Sequence, residues 1–252
     1  MQKNVERLGG TKPKIVVLWG VPRSISTAFE KTFSQRDDTE IVHEPFADVY
    51  FFSKWRRSDL FGDCPEHYEY SASMAMEAIM SKVAPLVFCK DMAFQALPYI
   101  SKDFIGSAIN TFIIRHPLET IASIYKQNVS VTEEEFGFTA LDRIFSIVTN
   151  ELGKQPIVVE ANRFRRDSQQ VLSQYCQSIG VDFEPQMLQW ETGSLKQWKP
   201  HEIEFQAQWH QTLENSTTIL APTEVKVELH TEDVEMVERA IKIYDRLSAF
   251  AL

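Results

Sequence analysis

The chain has 252 residues, of which 44% are hydrophobic and 24% are charged. These fractions are typical of a soluble globular protein, and we expect a single domain over residues 1–252 with a substantial core. The formal net charge of -9 argues against non-specific binding to nucleic acid or to an anionic membrane surface. An anionic ligand would therefore need a local cationic pocket.

The N-terminal segment and the cysteines indicate a cytoplasmic protein. Residues 1–14 are polar and of mixed charge, unlike a signal peptide, and no apolar run approaches the ~20 residues of a membrane helix. Cys64, Cys89 and Cys176 lie far apart and have neither metal-ligand nor disulfide spacing. We expect reduced thiols and no metal site.

Short apolar runs predict buried strands, each followed by a helical pattern or a long connection. The runs are Lys14–Trp19, Glu40–His43, Leu86–Lys90, Thr111–Arg115 and Pro156–Glu160. This alternation is typical of a three-layer α/β fold, in which a central, mostly parallel five-stranded sheet is flanked by helices. Ligands of such sheets bind beyond the carboxyl ends of the strands, so the residues after each strand are candidates for a site.

Helical periodicity and capping signals predict the main helices. They are Ser26–Gln35, Pro117–Gln127, a helix from the capping box Thr132–Glu135 to Leu152, one ending at Gly180 and one beginning at Thr231. Between the second and third strands, Pro45–Tyr70 is rich in aromatic residues and lacks a clean period. It predicts either a lid or acceptor-binding wall, or an insertion packed on the sheet edge.

The stretch Trp19–Phe29 joins the first strand to its helix and predicts a site for a phosphate-like anion. The first turn of a helix has unpaired backbone N–H groups and the positive end of the helix dipole. Arg23 adds a positive charge, and Ser24, Ser26 and Thr27 add hydroxyl donors. The alternative is an ordinary strand-to-helix connection with good capping residues.

The same stretch matches the P-loop pattern G-x-x-x-x-G-K-[ST] only in part. Gly20 and Thr27 fit, but Ile25 stands at the second glycine position and Ser26 at the lysine position. That lysine normally reaches the β- and γ-phosphates of a nucleotide. Its absence argues against a nucleoside triphosphatase.

A second stretch places basic and hydroxyl groups after the fourth strand. Arg115 ends the strand, Pro117 begins a helix, and Ser123 lies in the second turn of that helix. An arginine at a strand end and a serine on the next helix can both contact one phosphate. A surface arginine and an unremarkable helix serine are the alternative.

Together, the two stretches resemble the phosphate motifs of the family of sulfotransferases that use 3′-phosphoadenosine-5′-phosphosulfate (PAPS). Arg23-Ser24-x-Ser26-Thr27 resembles the family's 5′-phosphosulfate loop, and Arg115-x-Pro117 followed by Ser123 resembles its 3′-phosphate motif. The chain looks closest to a divergent branch that includes sulfotransferase-like proteins named by analogy with branched-chain aminotransferases. The resemblance implies a P-loop-like fold.

The resemblance also implies an activity, which is transfer of a sulfonyl group from PAPS to a hydroxyl or amine of a small-molecule acceptor, without a metal. Lys90 corresponds to a lysine that contacts the sulfonyl group or the bridging oxygen in the family. The residues implied to bind the nucleotide are Arg23, Ser24, Ile25, Ser26, Thr27, Ala28, Arg115 and Ser123.

Three residues are candidates for the base that takes the acceptor proton. The best-known family members use a histidine after the third strand, but this chain has Lys90-Asp91-Met92 there. Some branches use a glutamate after the second strand, where this chain has Glu44. We predict Glu44 as the base, with His43 second and Asp91 third. The alternative for Glu44 is a structural partner of an arginine.

Other parts of the family pattern are missing, and other functions stay open. The late glycine-rich nucleotide clamp is not recognisable. Arg163, Arg165 and Arg166, just past the fifth strand, are expected to be solvated charges at a helix start, with a contribution to the nucleotide site as the alternative. His210 is expected to be a surface or core residue. A P-loop kinase or phosphotransferase and a non-catalytic nucleotide-binding relative are the alternatives. We expect a lipophilic or aromatic acceptor and no nucleic-acid or membrane partner, and the sequence leaves the oligomeric state open.

Overall fold

The computed structural model describes residues 12–62, 64–194, 196, 198–205 and 207–252. Its strands form one parallel sheet in the order β2-β3-β1-β4-β5. Their bounds are β1 Lys14–Gly20, β2 Thr39–His43, β3 Leu86–Met92, β4 Ile109–Ile114 and β5 Ile157–Glu160. The predicted α/β class with a central five-stranded sheet is therefore confirmed.

The sheet is buried on both faces, which explains why its central strand reads as a continuous apolar run. In β1, Val17 and Trp19 pack into the core on one face, whereas Val16 and Leu18 pack into the core on the other. All four side chains have 0% exposure. Successive strand residues point to opposite faces, so one apolar run supplies both cores.

Helices cover both faces of the sheet. The helices are α1 Ser26–Phe33, α2 Ala47–Phe51, α3 Ala72–Met80, α4 Ala93–Ala96, α5 Lys102–Ser107, α6 Pro117–Tyr125, α7 Glu133–Phe136, α8 Phe138–Ser146, α9 Ala161–Arg166, α10 Ser168–Ile179, α11 Pro200–Phe205, α12 Gln211–Glu214 and α13 Val234–Ser248. Helices α1, α9 and α10 complete the core that contains Val16 and Leu18. Helices α2 to α8 and α13 complete the opposite core. Within the described ranges, none of the helices is long and apolar enough to cross a membrane.

The helix predicted from the capping box at Thr132 to Leu152 is divided in two. The capping box is present, but Gly137 has a φ of 82° and ends α7 before α8 begins. A Cβ at Gly137 would lie 3.2 Å from Phe94 and 3.3 Å from Pro22. The prediction of one helix was wrong because glycine allows a left-handed turn that brings this segment against the loop after β1.

The order of the strands creates a crevice at the carboxyl end of β1. The connection after β1 leads to β2 on one side of the sheet, and the connection after β3 leads to β4 on the other side. A crevice of this kind is the usual ligand site of an open α/β sheet. It lies beside the loop 21–25, which precedes α1.

Candidate functional site

The loop 21–25 is held in an unusual backbone conformation. Arg23 and Ile25 have φ values of 59° and 60°, in the left-handed region that side chains other than glycine rarely adopt. The first intrahelical bond of α1 joins the N–H of Phe29 to the carbonyl of Ile25 at 3.1 Å. The preceding N–H groups of the helix therefore stand outside the helical ladder, as an anion site requires.

Close packing beneath the loop explains the glycine at the end of β1. A Cβ at Gly20 would lie 3.2 Å from the Cβ of Ser26 and 3.3 Å from the Oγ of Ser24. Ser24 itself has 0% exposure, and its hydroxyl donates to the carbonyl of Val21 at 2.7 Å. The Ser24 hydroxyl therefore supports the loop, while Ile25, Ser26, Thr27 and Ala28 line the adjacent cavity.

The two stretches singled out in the sequence meet in space. Arg23 Nε donates to Ser123 Oγ at 2.9 Å, and Arg115 Nη1 donates to the carbonyl of Arg23 at 2.9 Å. Arg115 also pairs with Glu119 at 3.0 Å. Arginines that follow different strands thus converge on one loop, at the same edge of the sheet.

Electrostatic repulsion acts among the converging arginines. Burial and the neighbouring Arg115 charge lower the pKa of the Arg23 guanidinium. Burial and Arg115 likewise lower the pKa of Arg165, which lines the same cavity. Arg165 donates to the carbonyls of Leu220 and Ala221 at 2.8 and 2.6 Å. A solvated charge was the preferred expectation for Arg165, and a contribution to the nucleotide site, indicated by its position after β5, was the alternative.

On the opposite side of the loop, Glu44 follows β2 and lines the cavity. Its carboxylate accepts a hydrogen bond from the ammonium of Lys90, whose side chain has 0% exposure. Burial is the largest single influence on the Glu44 carboxyl and raises its pKa. The nearby Lys90 ammonium, together with smaller contributions from His43 and His210, outweighs burial and holds the pKa of Glu44 well below its usual value. Lys90 lies behind Glu44 rather than on the cavity wall.

His43 is buried behind the same carboxylate. Its Nδ1 lies 2.7 Å from Glu30 Oε2, and its Nε2 lies 3.8 Å from Glu44 Oε1. Asp91, the third candidate base, has 0% exposure and accepts from the N–H groups of Phe46 and Met92. Burial and the Glu44 charge raise the pKa of Asp91 well above its ordinary value.

The sequence reasoning missed one histidine at this end of the cavity. The ring of His210 stacks on Trp198 at 5.0 Å and meets His43 edge-on at 5.6 Å between centroids. Burial, followed by the charges of His43, Lys90 and Arg23, lowers the pKa of His210 to about 3, so the ring is neutral at pH 7. The carbonyl of Trp209 accepts from Arg23 Nη1 at 2.9 Å and ties this late segment to the loop. No local motif marks His210.

A cavity of about 330 Å³ connects the arginines to Glu44. The aromatic segment Pro45–Tyr70 contributes both to the core and to the cavity. Tyr50 and Phe52 are buried in the core, whereas Phe51 and Phe61 line the cavity wall. Leu60, Phe94, Ile124 and Val131 extend the apolar lining. Within the described part of the chain, no group of three or more potential metal-binding side chains occurs.

The chain is similar in sequence to known plant proteins. Two curated proteins of Arabidopsis thaliana, branched-chain-amino-acid aminotransferase-like proteins 2 and 1, are each 25% identical over 247 and 243 residues, or 93% and 94% of this chain. The matched region spans only 41% and 42% of their own lengths.

Two solved sulfotransferase domains are also similar in structure. They come from the Synechococcus PCC 7002 olefin synthase (12% identity, TM-score 0.47) and from the curacin biosynthetic pathway (14% identity, TM-score 0.46). The alignments cover 94% of this chain and 98% of each domain. The sulfotransferase domain family itself matches residues 14–251. The predicted resemblance is therefore confirmed, and the chain belongs to the sulfotransferase domain family.

Proposed function

We propose that the chain is a sulfotransferase that takes a sulfonyl group from PAPS and transfers it to a hydroxyl or amine of a small molecule. The observation that carries this proposal is the meeting of Arg23, Arg115 and Ser123 at one loop. The charges of Arg23 and Arg115 repel each other there, inside a protein of net charge -9. A dianionic ligand relieves that repulsion, because it pairs with both charges.

The residues of the loop fit a phosphosulfate group. Left-handed backbone at Arg23 and Ile25 precedes a run of helical N–H groups that no carbonyl of α1 accepts. These N–H groups and the Arg23 guanidinium would hold the 5′-phosphosulfate, and Arg115 and Ser123 would hold the 3′-phosphate. Bound PAPS supplies the sulfonyl group and a phosphate leaving group. Preorganised donors of this kind stabilise charge that grows on a leaving oxygen, and removing one typically costs ~10²–10³ in rate.

Glu44 is proposed as the group that first takes the acceptor proton. It is the candidate base that lines the cavity, whereas the side chains of His43 (7% exposed) and Asp91 (0% exposed) are buried and do not line it. Lys90 holds the carboxylate ionised and oriented through their hydrogen bond. The aromatic and aliphatic wall formed by residues such as Phe51, Phe61 and Phe94 supports a lipophilic or aromatic acceptor.

A non-catalytic nucleotide-binding relative is the second candidate, and one observation favours it. The ion pair with Lys90 lowers the pKa of Glu44, which weakens it as a base. A phosphotransferase that uses ATP is disfavoured because Ser26 stands where a P-loop lysine would contact the β- and γ-phosphates.

The cysteines support a reducing compartment. Cys64, Cys89 and Cys176 are buried free thiols. We propose that the protein works in the cytoplasm, where such thiols stay reduced.

The function is tested by thermal-shift measurements with 3′-phosphoadenosine 5′-phosphate, adenosine 5′-phosphosulfate and Mg-ATP. We expect the 3′-phosphorylated nucleotide to raise the melting temperature most, because it alone reaches both Arg115 and the loop 21–25. Transfer of radiolabelled sulfonyl from PAPS to a panel of phenols, alcohols and amines then separates an enzyme from a binding protein. Greater stabilisation by Mg-ATP, or equal stabilisation by all the nucleotides, would contradict the proposal.

A further inference from the structure

Glu30 is a buried carboxylate that the proposed function leaves unexplained. It lies in α1, and its side chain has 0% exposure. Its Oε2 contacts His43, whereas its Oε1 has no hydrogen-bond partner among the described residues. Burying a carboxylate with an unsatisfied oxygen is costly, and native proteins keep such groups mainly where function requires them.

The contact with Glu30 determines which nitrogen of His43 carries the proton. An ionised carboxylate only accepts hydrogen bonds, so Nδ1, at 2.7 Å from Glu30 Oε2, is the protonated nitrogen. Nε2 is then unprotonated and faces Glu44 Oε1 at 3.8 Å. The rings of Trp198 and His210 pack edge-on against the imidazole and limit its rotation. His43 is therefore held in one orientation behind Glu44.

We propose that Glu30 is a positioning residue, which acts through His43 and keeps Nε2 ready to receive the proton that Glu44 takes from the acceptor. This inference rests on the proposed sulfotransferase function. It assigns a role to α1 beyond binding the donor, because the same helix that begins at the loop 21–25 also orients the residues on the acceptor side.

The proton needs a second acceptor because the ion pair with Lys90 makes Glu44 a weak base. As the acceptor oxygen bonds to sulfur, the sulfur–oxygen bond to the 5′-phosphate breaks and its electron pair stays on that phosphate. The acceptor proton passes to Glu44 and then to Nε2 of His43. Protonation of Glu44 weakens its ion pair with Lys90, which frees the carboxyl group to rotate toward His43. The resulting imidazolium is hydrogen-bonded to the carboxylate of Glu30, in the manner of a catalytic triad.

The charged and titratable groups around His43 come from several elements. Glu30 belongs to α1, Glu44 follows β2, Lys90 belongs to β3, and His210 precedes α12. Of these groups, Glu30 and Glu44 attract a proton at His43, whereas Lys90 repels it. Removing the Glu30 charge should therefore change the shape of the pH–rate profile.

The first test does not depend on activity. We suggest ¹⁵N NMR of the imidazole of His43 in the full chain, assigned by difference from His43→Gln. We expect Nδ1 to be protonated in the wild type and in Glu30→Gln, whose amide oxygen still accepts a hydrogen bond. We expect Glu30→Leu to lose this tautomer preference. A wild-type His43 with its proton on Nε2 would overturn the inference.

The second test measures steady-state kinetics with PAPS and 2-naphthol. If 2-naphthol is not an acceptor, the test instead measures hydrolysis of PAPS, followed by the formation of 3′-phosphoadenosine 5′-phosphate. We expect kcat to fall about tenfold in Glu30→Gln and about a hundredfold in Glu30→Leu, with KM for PAPS unchanged. The matched control is Glu40→Gln, at the other end of β2, whose carboxylate accepts from the N–H groups of Val83 and Ala84. This control should keep the wild-type kcat and pH profile.

Stability separates positioning from a structural role. Glu30→Leu removes a buried unsatisfied oxygen, so we expect its melting temperature to equal or exceed that of the wild type. A large loss of stability with unchanged pH dependence would overturn the inference. The proposed function fails separately, if the wild type is not stabilised by 3′-phosphoadenosine 5′-phosphate, and the NMR test still judges Glu30 in that case.

Discussion

The two ends of the cavity solve opposite electrostatic problems. At the end that we propose binds the phosphates, called the phosphate end, Arg23, Arg115 and Arg165 converge, and Glu119 is the carboxylate paired to Arg115. At the end that we propose binds the acceptor, called the acceptor end, the carboxylate of Glu44 is paired with the ammonium of Lys90. The phosphate end therefore has an excess of positive charge that a ligand can balance, whereas the Glu44 carboxylate at the acceptor end is already paired within the protein. We therefore expect substitutions at the phosphate end to change mainly the affinity for ligand. Substitutions at the acceptor end should change mainly the free energy of unfolding.

The largest expected effect is on stability, at the acceptor end. Glu44→Gln leaves the fully buried Lys90 ammonium without its counter-charge, and Lys90→Met leaves the Glu44 carboxylate unpaired. Breaking a buried ion pair from one side typically costs ~3–5 kcal/mol, so each variant should lose about that much in urea unfolding. The double variant Glu44→Gln/Lys90→Met should recover most of the loss. Losses that simply add would show that the two side chains do not depend on each other.

The same pair makes stability depend on pH. The folded-state pKa of Glu44 is lowered from an ordinary value of 4.5. Its contribution is therefore fully present above the unfolded pKa and is lost as the pH falls below it toward the folded-state value. We expect the free energy of unfolding of Glu44→Gln to depend less steeply on pH between about 5 and 3 than that of the wild type. An unchanged slope would indicate that Lys90 does not stabilise the carboxylate.

The phosphate end should respond in ligand affinity. Arg115→Ala removes a guanidinium proposed to bind the 3′-phosphate and also the hydrogen bond to the carbonyl of Arg23. We expect the Kd of 3′-phosphoadenosine 5′-phosphate, measured by calorimetry, to rise about a hundredfold. Arg115→Lys keeps the charge but loses the forked geometry of the guanidinium, so its Kd should lie between those of the wild type and Arg115→Ala. Arg143→Ala, which removes a surface ion pair with Glu151, is the control and should bind like the wild type.

The ends also differ in how far the sequence predicts them. The phosphate end follows from two local motifs at strand exits, and the sheet topology brings Arg23 and Ser123 together. The acceptor end depends on pairings such as His43 with Glu30 and with His210, which join segments without a shared motif. No local pattern in one sequence encodes which buried carboxylate meets which histidine.

Even at the phosphate end, the sequence predicts which residues lie at the site better than it predicts where their side chains point. Ser24 and Thr27 look equivalent as hydroxyl donors, but Ser24 turns inward to Val21 while Thr27 lines the cavity. The left-handed φ at Arg23 was equally invisible, because it follows from the packing of the loop against its surroundings. Backbone conformation decides these directions, and a non-glycine residue in the left-handed region gives no sequence signal.

The smallest expected effect tests whether that backbone is strained. Ile25 has a φ of 60° at the start of α1 and occupies the second glycine position of the P-loop pattern. Ile25→Ala and Ile25→Gly lose nearly the same packing, so their difference isolates the backbone. We expect the glycine variant to be more stable than the alanine variant by about 1 kcal/mol, because glycine adopts positive φ without steric cost. At Ala28, in the first turn of the same helix, glycine should instead be less stable than alanine by ~1 kcal/mol.

A preference for alanine at position 25 would show that the loop pays no penalty for its left-handed turn. If the glycine variant is the more stable of the two, the backbone at Ile25 is strained and lowers the stability of the ligand-free protein. The reason for Ile25 would then lie in the bound state, because a stiffer residue leaves less freedom to lose when the N–H groups of α1 close on an anion. The glycine variant should accordingly combine higher stability than the alanine variant with weaker binding of 3′-phosphoadenosine 5′-phosphate. At the phosphate end, backbone strain would therefore be linked to the affinity for the nucleotide. At the acceptor end, the buried ion pair of Glu44 and Lys90 is linked to the stability of the fold.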